Sequence, residues 1–211
     1  MKPTITVITP TINRPSLREA YESVRDQLGP DDQHVIVTDG FPITRLPFLP
    51  EAFAVQGPRQ ATWGAAQRQF VLDGHAPLRK KTTHVIFLDD DDLMLPGAID
   101  TFKQCAKELP DKLILARFQP HQTGVLWKYP IVAYGNVGEP CICVPWRPES
   151  MGSFMAKGGR YENDFDFIES TVAKIGNPVW LDRVVQIARR LENCEAERSA
   201  YIAAAEQSTR G

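Results

Sequence analysis

Val85-Ile86-Phe87-Leu88-Asp89-Asp90-Asp91-Asp92 joins a four-residue apolar run to four consecutive carboxylates. An uninterrupted apolar run of that length reads as a strand buried on both faces, the kind found inside parallel sheets. Ligands of open α/β sheets collect at the carboxyl ends of such strands, which is where these acids stand. Two carboxylates about 5 Å apart repel by roughly 3 kcal/mol at an effective dielectric of 20. The cluster therefore calls for a bound positive charge. Hard oxygen donors in this arrangement suit Mg2+ or Mn2+ shared with a substrate phosphate. The competing reading is a solvated acidic turn capping the next helix, but a cap needs only one acid.

The flanking sequence repeats a strand-then-helix rhythm. Upstream, Ile5, Val7 and Ile8 read as a first strand, followed by a capping box at Ser16 and Glu19 and a helix carrying Leu17, Ala20, Tyr21, Val24 and Leu28. Val35-Ile36-Val37 is a second buried strand ending at Thr38-Asp39-Gly40. A Pro-rich loop (Pro42, Pro47, Pro50) then leads through a short strand, Ala52 to Val55, to a helix with Trp63, Ala66 and Phe70 on one face and Arg68 on the other. Downstream of the acids, Pro96 reads as a first helical position before Ile99, Phe102, Ala106 and Leu109, and Lys112 to Phe118 as a further strand. Strands alternating with amphipathic helices predict an α/β fold, a mostly parallel central sheet with helices on both faces. Beyond residue 120 the pattern loosens into β segments near 125–134 and 140–145. A Gly-rich stretch follows from Gly152 to Gly159, then a helix from Asp164 with Phe165, Ile168 and Val172, a stop at Gly176, a strand from Val179 to Ile187, and a charged, Ala-rich helix from Glu192.

The 211 residues carry a net charge of −2, with 43% hydrophobic and 24% charged residues, which excludes wholesale disorder and collagen. That length accommodates one domain spanning 1–211. No apolar run approaches the roughly 20 residues of a membrane span. The N-terminus has no signal-peptide h-region, so a cytoplasmic protein is expected. Cys105, Cys141, Cys143 and Cys194 include one Cys-x-Cys but no second close pair for zinc, and read as reduced thiols. Near-neutral charge weakens a nucleic-acid partner. There is no G-x-x-x-x-G-K-[ST], no G-x-G-x-x-G after the first strand and no G-x-S-x-G elbow. His34, His75, His84 and His121 belong to no motif. Trp127, Trp146 and Trp180 read as core in preference to platforms for sugar rings.

Four segments in order resemble the family 2 glycosyltransferases of the GT-A fold. They are Ile5 to Arg14 (ITVITPTINR), Val35 to Gly40 (VIVTDG), Trp63 to Arg68 (WGAAQR) and Phe87 to Pro96 (FLDDDDLMLP). Gly158 to Phe167 (GGRYENDFDF) resembles, more loosely, the family's glycine pair and E-D-x-D-like catalytic segment. The resemblance implies a GT-A domain that moves a sugar from a nucleoside-diphosphate donor to an acceptor hydroxyl with inversion. Residues 1–118 would form the nucleotide-sugar half, 119–190 the acceptor side, and 191–211 a C-terminal helix and tail. Carried over by position, Thr9 and Thr11 border the nucleotide, Asp39 accepts a hydrogen bond from the base, and Arg68 sits near the base or diphosphate. Arg14 and Asp90 join this donor-binding set. Asp89 and Asp91 match the outer acids of D-x-D, with Asp91 the direct Mn2+ or Mg2+ ligand, and Asp164 matches the catalytic base. The sequence departs from the family at Thr38, in place of the first acid of D-D-G, and at Asn163, in place of a Glu. No histidine follows Trp180. Glu162 and Asp166 therefore stand as alternative bases.

In that chemistry the cation neutralises the leaving diphosphate, while a carboxylate within about 2.6–3.2 Å takes the acceptor's proton. A start-of-helix position favours the ionised form of Asp164, and a plain N-cap is its bland alternative. Two rival functions share these acids. A sugar nucleotidyltransferase would want a Gly-rich basic loop after the first strand, where Thr9-Pro10-Thr11-Ile12-Asn13 stands instead. A noncatalytic nucleotide-sugar or glycan-binding module would have lost its base. Glycan, protein, lipid-linked sugar and modified nucleobase acceptors are all compatible with the sequence.

Overall fold

The structure, a computed structural model, describes residues 2–46, 54–120 and 124–188. The sequence readings at Pro47, Pro50, Ala52, Phe53, His121, Cys194 and the helix from Glu192 lie outside the described residues. Within them the chain runs β1 (Ile5–Thr11), α1 (Leu17–Arg25), β2 (Gln33–Thr38), β3 (Ala54–Gln56), α2 (Ala65–Leu72), β4 (His84–Phe87), β5 (Leu93–Met94), α3 (Ala98–Glu108), β6 (Ile114–Gln119), β7 (Ile142–Pro145), α4 (Asn163–Ile175) and β8 (Val179–Ile187). Short 3-10 turns occupy Ile43–Arg45 and Glu139–Cys141.

The strands form one sheet in the order β3-β2-β1-β4-β7-β6-β8-β5. The β3-β2-β1-β4 half is parallel throughout, and so is the β6–β8 pair. Strand β7 runs antiparallel between β4 and β6, and β5 closes antiparallel on β8. Every residue of β1, β2 and β4 is buried, as the absence of polar alternation requires. Alternate side chains feed two cores. Val85 and Phe87 pack with Val71 of α2 and with Phe167 and Ile168 of α4; Ile86 and Leu88 pack with Ala20 and Val24 of α1 and with Ile99 and Phe102 of α3. Helices thus cover both faces. Among the described residues no helix is long and apolar enough to cross a membrane.

Several local expectations are corrected. Ser16 makes no side-chain cap bond: its backbone is already helical (φ −65°, ψ −21°), and its hydroxyl is buried without a partner. An N-cap hydroxyl needs extended backbone to turn back on the next N–H groups. Helix α1 stops at Arg25, short of Leu28. Pro96 lies before α3, whose N-cap is Gly97 at φ 76°. Trp63 is not on α2 but two residues ahead of its first turn, and Arg68, expected on the polar side, is fully buried. The segment near 125–134 contributes only an isolated bridge, Phe118 to Leu126. The β segment at 140–145 shortens to β7, with Pro140 inside the 3-10 turn. Cys105, Cys141 and Cys143 are free thiols, and burial pushes Cys141 up to about 12.

One close approach fixes how the second half packs on α4. Gly152 donates its N–H to Thr171 Oγ1 at 2.8 Å, and a Cβ there would fall 2.3 Å from the Phe167 carbonyl oxygen and 2.2 Å from Ser170 Oγ. Gly152→Ala is expected to cost about 1–3 kcal/mol through overpacking. A urea titration followed by far-UV circular dichroism checks it, and an unchanged midpoint contradicts it.

Candidate active site

Because β1, β2 and β4 are parallel, their carboxyl ends lie together, and the segments leaving them carry Thr11, Asp39 and Asp89. These segments, the start of α2, the 3-10 turn at Glu139 and the start of α4 enclose a cleft of about 670 Å3. That size is ordinary for a small-molecule site.

The four consecutive acids do different things. Asp90 turns inward: Thr11 Oγ1 donates to it at 2.6 Å, Arg14 Nη1 at 2.6 Å and the Ile12 N–H at 3.2 Å, so it ties down the loop after β1. Asp91 stays beside Arg14, at 3.4 Å. Burial raises its pKa, Arg14 pulls it down, and Asp89 and Asp90 raise it again, leaving it above the ordinary value. Asp89 receives a hydrogen bond from Arg68. Oxygens of Asp89, Asp92 and Glu139 lie within 4.8 Å of one another, a grouping able to hold a metal ion. Asp91, the acid expected to coordinate directly, is not in that trio.

Glu139 has no counterpart in the sequence reading. It is buried at the cleft floor, and neither side-chain oxygen has a hydrogen-bond partner. The nearest cation, Arg68 Nη2, is 3.8 Å away. Burial and the neighbouring Asp89 push its pKa well above the usual carboxylate range against the pull of Arg68. Arg68 is itself only 2% exposed; burial pulls its pKa down, and Asp89 and Glu139 more than reverse this. Its guanidinium also donates to the Trp63 carbonyl at 3.2 Å and rests over the Phe154 ring at 5.4 Å. A single acid followed by Pro140 and an apolar run forms no pattern, so only the fold brings Glu139 to the site.

Glu139→Gln keeps the shape and removes the charge. It is expected to raise stability at pH 7 in chelator, because it removes the buried negative charge that desolvation and Asp89 disfavour. Because the folded-state pKa is raised, the wild-type penalty applies above that pKa. The gain therefore fades as pH falls through it and the wild type becomes neutral too. Denaturant titrations at several pH values check both sign and trend.

The other expected residues divide. Asp39 lines the cleft and accepts hydrogen bonds from Gln60 N at 2.8 Å and Gln67 Nε2 at 2.9 Å. Thr11 lines it, with its hydroxyl committed to Asp90. Thr9 does not: it is fully buried and hydrogen-bonds His34 Nε2 at 2.8 Å, beside an imidazole that burial keeps neutral with a pKa of about 3. Asp164 is the second residue of α4, behind Glu162 at the N-cap, so it is not the cap. It faces the cleft and accepts the Phe165 N–H at 2.8 Å and the Glu139 N–H at 3.2 Å. Burial raises its pKa against those two donors. Glu162 also lines the cleft. Asp166 is outside it, gripped by Arg160 through two bonds (2.8 and 2.7 Å) and by Lys157 at 2.9 Å, which hold its pKa down at about 2. Trp127 is core, its Nε1 donating to the Leu115 carbonyl at 2.9 Å, and it meets Trp180 edge to face. Trp63, Tyr134 and Tyr161 line the cleft although no motif marks Tyr134.

No protein-family model matches the chain, and no curated protein is similar to it in sequence. Solved structures are similar in shape. Staphylococcus aureus TarS residues 1–349 matches with a TM-score of 0.65 at 17% identity, over 88% of this chain and 60% of that one. The same TarS fragment in complex with UDP-GlcNAc matches with a TM-score of 0.65 at 15% identity, over 96% of this chain and 66% of that one. Its complex with UDP gives 0.63 at 16% identity, over 96% and 65%. The chain thus spans roughly 60% of the length of the TarS fragment. The mainly parallel eight-stranded sheet with helices on both faces is an α/β fold of the GT-A type, shared with TarS.

Proposed function

We propose that the protein is a glycosyltransferase that takes a sugar from a nucleoside-diphosphate donor and passes it, with inversion, to an acceptor hydroxyl. The observation that carries this reading is that Asp164 shares one cleft with Asp39, Arg68, Asp89 and Glu139, the last two grouped with buried Asp92 behind them. The TarS structures of the same fold were obtained with UDP-GlcNAc and with UDP, which favours a uridine diphosphate donor here.

The donor set suits a divalent cation: all ligands are hard carboxylate oxygens, and both oxygens of Glu139 are buried and unpartnered. Asp89 would hold Mn2+ or Mg2+, with Asp91 as in the D-x-D pattern or with Asp92 and Glu139. The ion supplies charge neutralisation at the diphosphate. The protein's own groups do the rest. Asp39 keeps lone pairs free after its two bonds and receives an N–H of the base. Arg68 offers positive charge at the cleft floor, where low dielectric strengthens it. Asp164, held by two backbone N–H groups, accepts the proton of the acceptor hydroxyl as that oxygen attacks. A single base on the acceptor side, opposite the leaving group, gives inversion.

A panel of UDP- and GDP-sugars incubated with the protein and Mn2+ tests the reading. Release of free nucleoside diphosphate is the expected result, slow without an acceptor. Pyrophosphate release from a nucleoside triphosphate would make it a nucleotidyltransferase, and donor binding without turnover on any acceptor would make it a binding module.

A further inference from the structure

The described residues expose seven large hydrophobic side chains, and four of them, Ile12, Trp63, Tyr134 and Tyr161, line the one cleft. Trp63 and Tyr161 are each 67% exposed and meet edge to face, ring centroids 5.4 Å apart. Isolated exposed hydrophobics need no explanation; a group at the mouth of a polar cleft does.

The pair is built, not dangling. Trp63 has φ 55°, a conformation rare for a bulky residue, which persists only where surroundings enforce it. They do so here. The Trp63 carbonyl accepts from buried Arg68, Gly64 follows in the left-handed region, and the preceding Thr62 hydroxyl accepts the Ala66 N–H at 3.0 Å. Tyr161 follows Arg160, whose guanidinium is locked on Asp166. The two loops touch at Gly159, where a Cβ would sit 3.1 Å from Thr62 Cβ.

Resting on the glycosyltransferase reading, we propose that Trp63 and Tyr161 form the acceptor subsite, and that the acceptor is an uncharged sugar ring presenting its C–H face to them. Tyr161 is three residues from Asp164, leads into its helix and lines the same cleft, so a ring stacked there shares that cleft with the base. The second cleft aromatic pair, Tyr134 with Phe165, centroids 6.1 Å apart, includes the residue directly after Asp164. Away from the cation that would neutralise the diphosphate, the lining offers an anionic acceptor no free positive charge. The lining holds seven carboxylates and two cations, and both cations are already paired, Arg14 with Asp90 and Arg68 with Asp89. Aromatic faces are electron-rich and attract C–H groups, not phosphates or carboxylates.

Isothermal titration of the wild-type protein with UDP and Mn2+, followed by chitotriose, cellotriose, maltotriose and glucose 6-phosphate in turn, tests this. At least one neutral trisaccharide is expected to bind and glucose 6-phosphate not to. Trp63→Ala and Tyr161→Ala should each weaken the trisaccharide at least tenfold while leaving UDP affinity within about twofold, and Trp63→Phe should retain most of it. The proposal is overturned if no neutral trisaccharide binds, if the phosphorylated sugar is preferred, or if the variants bind as wild type. It also fails if Trp63→Ala loses UDP, which would make the indole a platform for the nucleobase. A wild type that binds trisaccharide but no nucleotide would instead overturn the donor reading and leave the subsite standing.

Discussion

Asp164→Asn is expected to lower turnover by about a thousandfold, within the 10²–10⁴ span that a positioned general base contributes, while UDP affinity stays within about twofold. The contrast follows from where the carboxylate points. Its oxygens accept two backbone N–H groups, one from Phe165 and one from Glu139, which fix it at the start of α4 facing the cleft. An amide keeps the volume and one accepting oxygen but has no basic lone pair for the acceptor's proton. One backbone donor then faces an NH2 group, so a loss of roughly 1 kcal/mol in stability should accompany the change without unfolding the protein. The wild-type pH profile carries the same signature. Burial holds the Asp164 pKa above the ordinary carboxylate value, and only the ionised form accepts a proton. Activity should therefore fall as pH drops through that raised pKa, and the acid limb should be missing from the residual activity of Asp164→Asn. Initial rates of UDP release across pH check both. A variant within tenfold of wild type would move the base to Glu162, the other alternative on the cleft wall.

The sequence made this legible where chemistry and periodicity coincide. Val85 to Leu88 followed by acids identified both a central strand and the end of the sheet at which the cleft opens, because a fully apolar run has few uses other than a buried parallel strand. Asp39, Asp89, Arg68 and Asp164 come together from four segments that the linear pattern already singled out. What stayed hidden depends on side-chain direction and on long-range packing. Four adjacent acids look alike in sequence, yet a strand end and turn send Asp90 toward Thr11 and Arg14 and Asp92 toward Glu139. Thr9 fits the motif by position, but β1 is buried along its whole length and the side chain meets His34. Arg68 reads as a surface cation on helical spacing, because nothing local announces the buried Glu139 and the half-exposed Asp89 that accompany it. Glu139 and Tyr134 belong to the irregular second half, where no period relates them to anything.

Arg68→Met should be among the most destabilising single changes in the chain, by about 3–5 kcal/mol at pH 7. The guanidinium is buried, with half-exposed Asp89 on one side and buried Glu139 on the other. Removing it strands acids that already repel one another: Asp89 and Glu139 each lose their counter-charge, and Asp92 and Asp164 add to the field at Glu139. A neutral side chain of similar length recovers packing against Phe154 but none of that compensation. Two consequences separate this electrostatic account from simple loss of packing. First, the penalty should shrink as pH falls, because the Glu139 pKa, already raised by burial and by Asp89, rises further without Arg68. The carboxyl then protonates at a higher pH in the variant, and a neutral acid no longer needs the guanidinium. Second, Glu139→Gln in the same chain should restore a large part of the loss, so the two changes together cost less than the sum of their separate effects, the non-additivity expected of side chains in one buried network. Urea unfolding of the two single variants and the double variant at pH 7 and at pH 5 supplies the cycle. Equal losses at both pH values, or strict additivity, would mean that Arg68 acts through its volume and not through its charge.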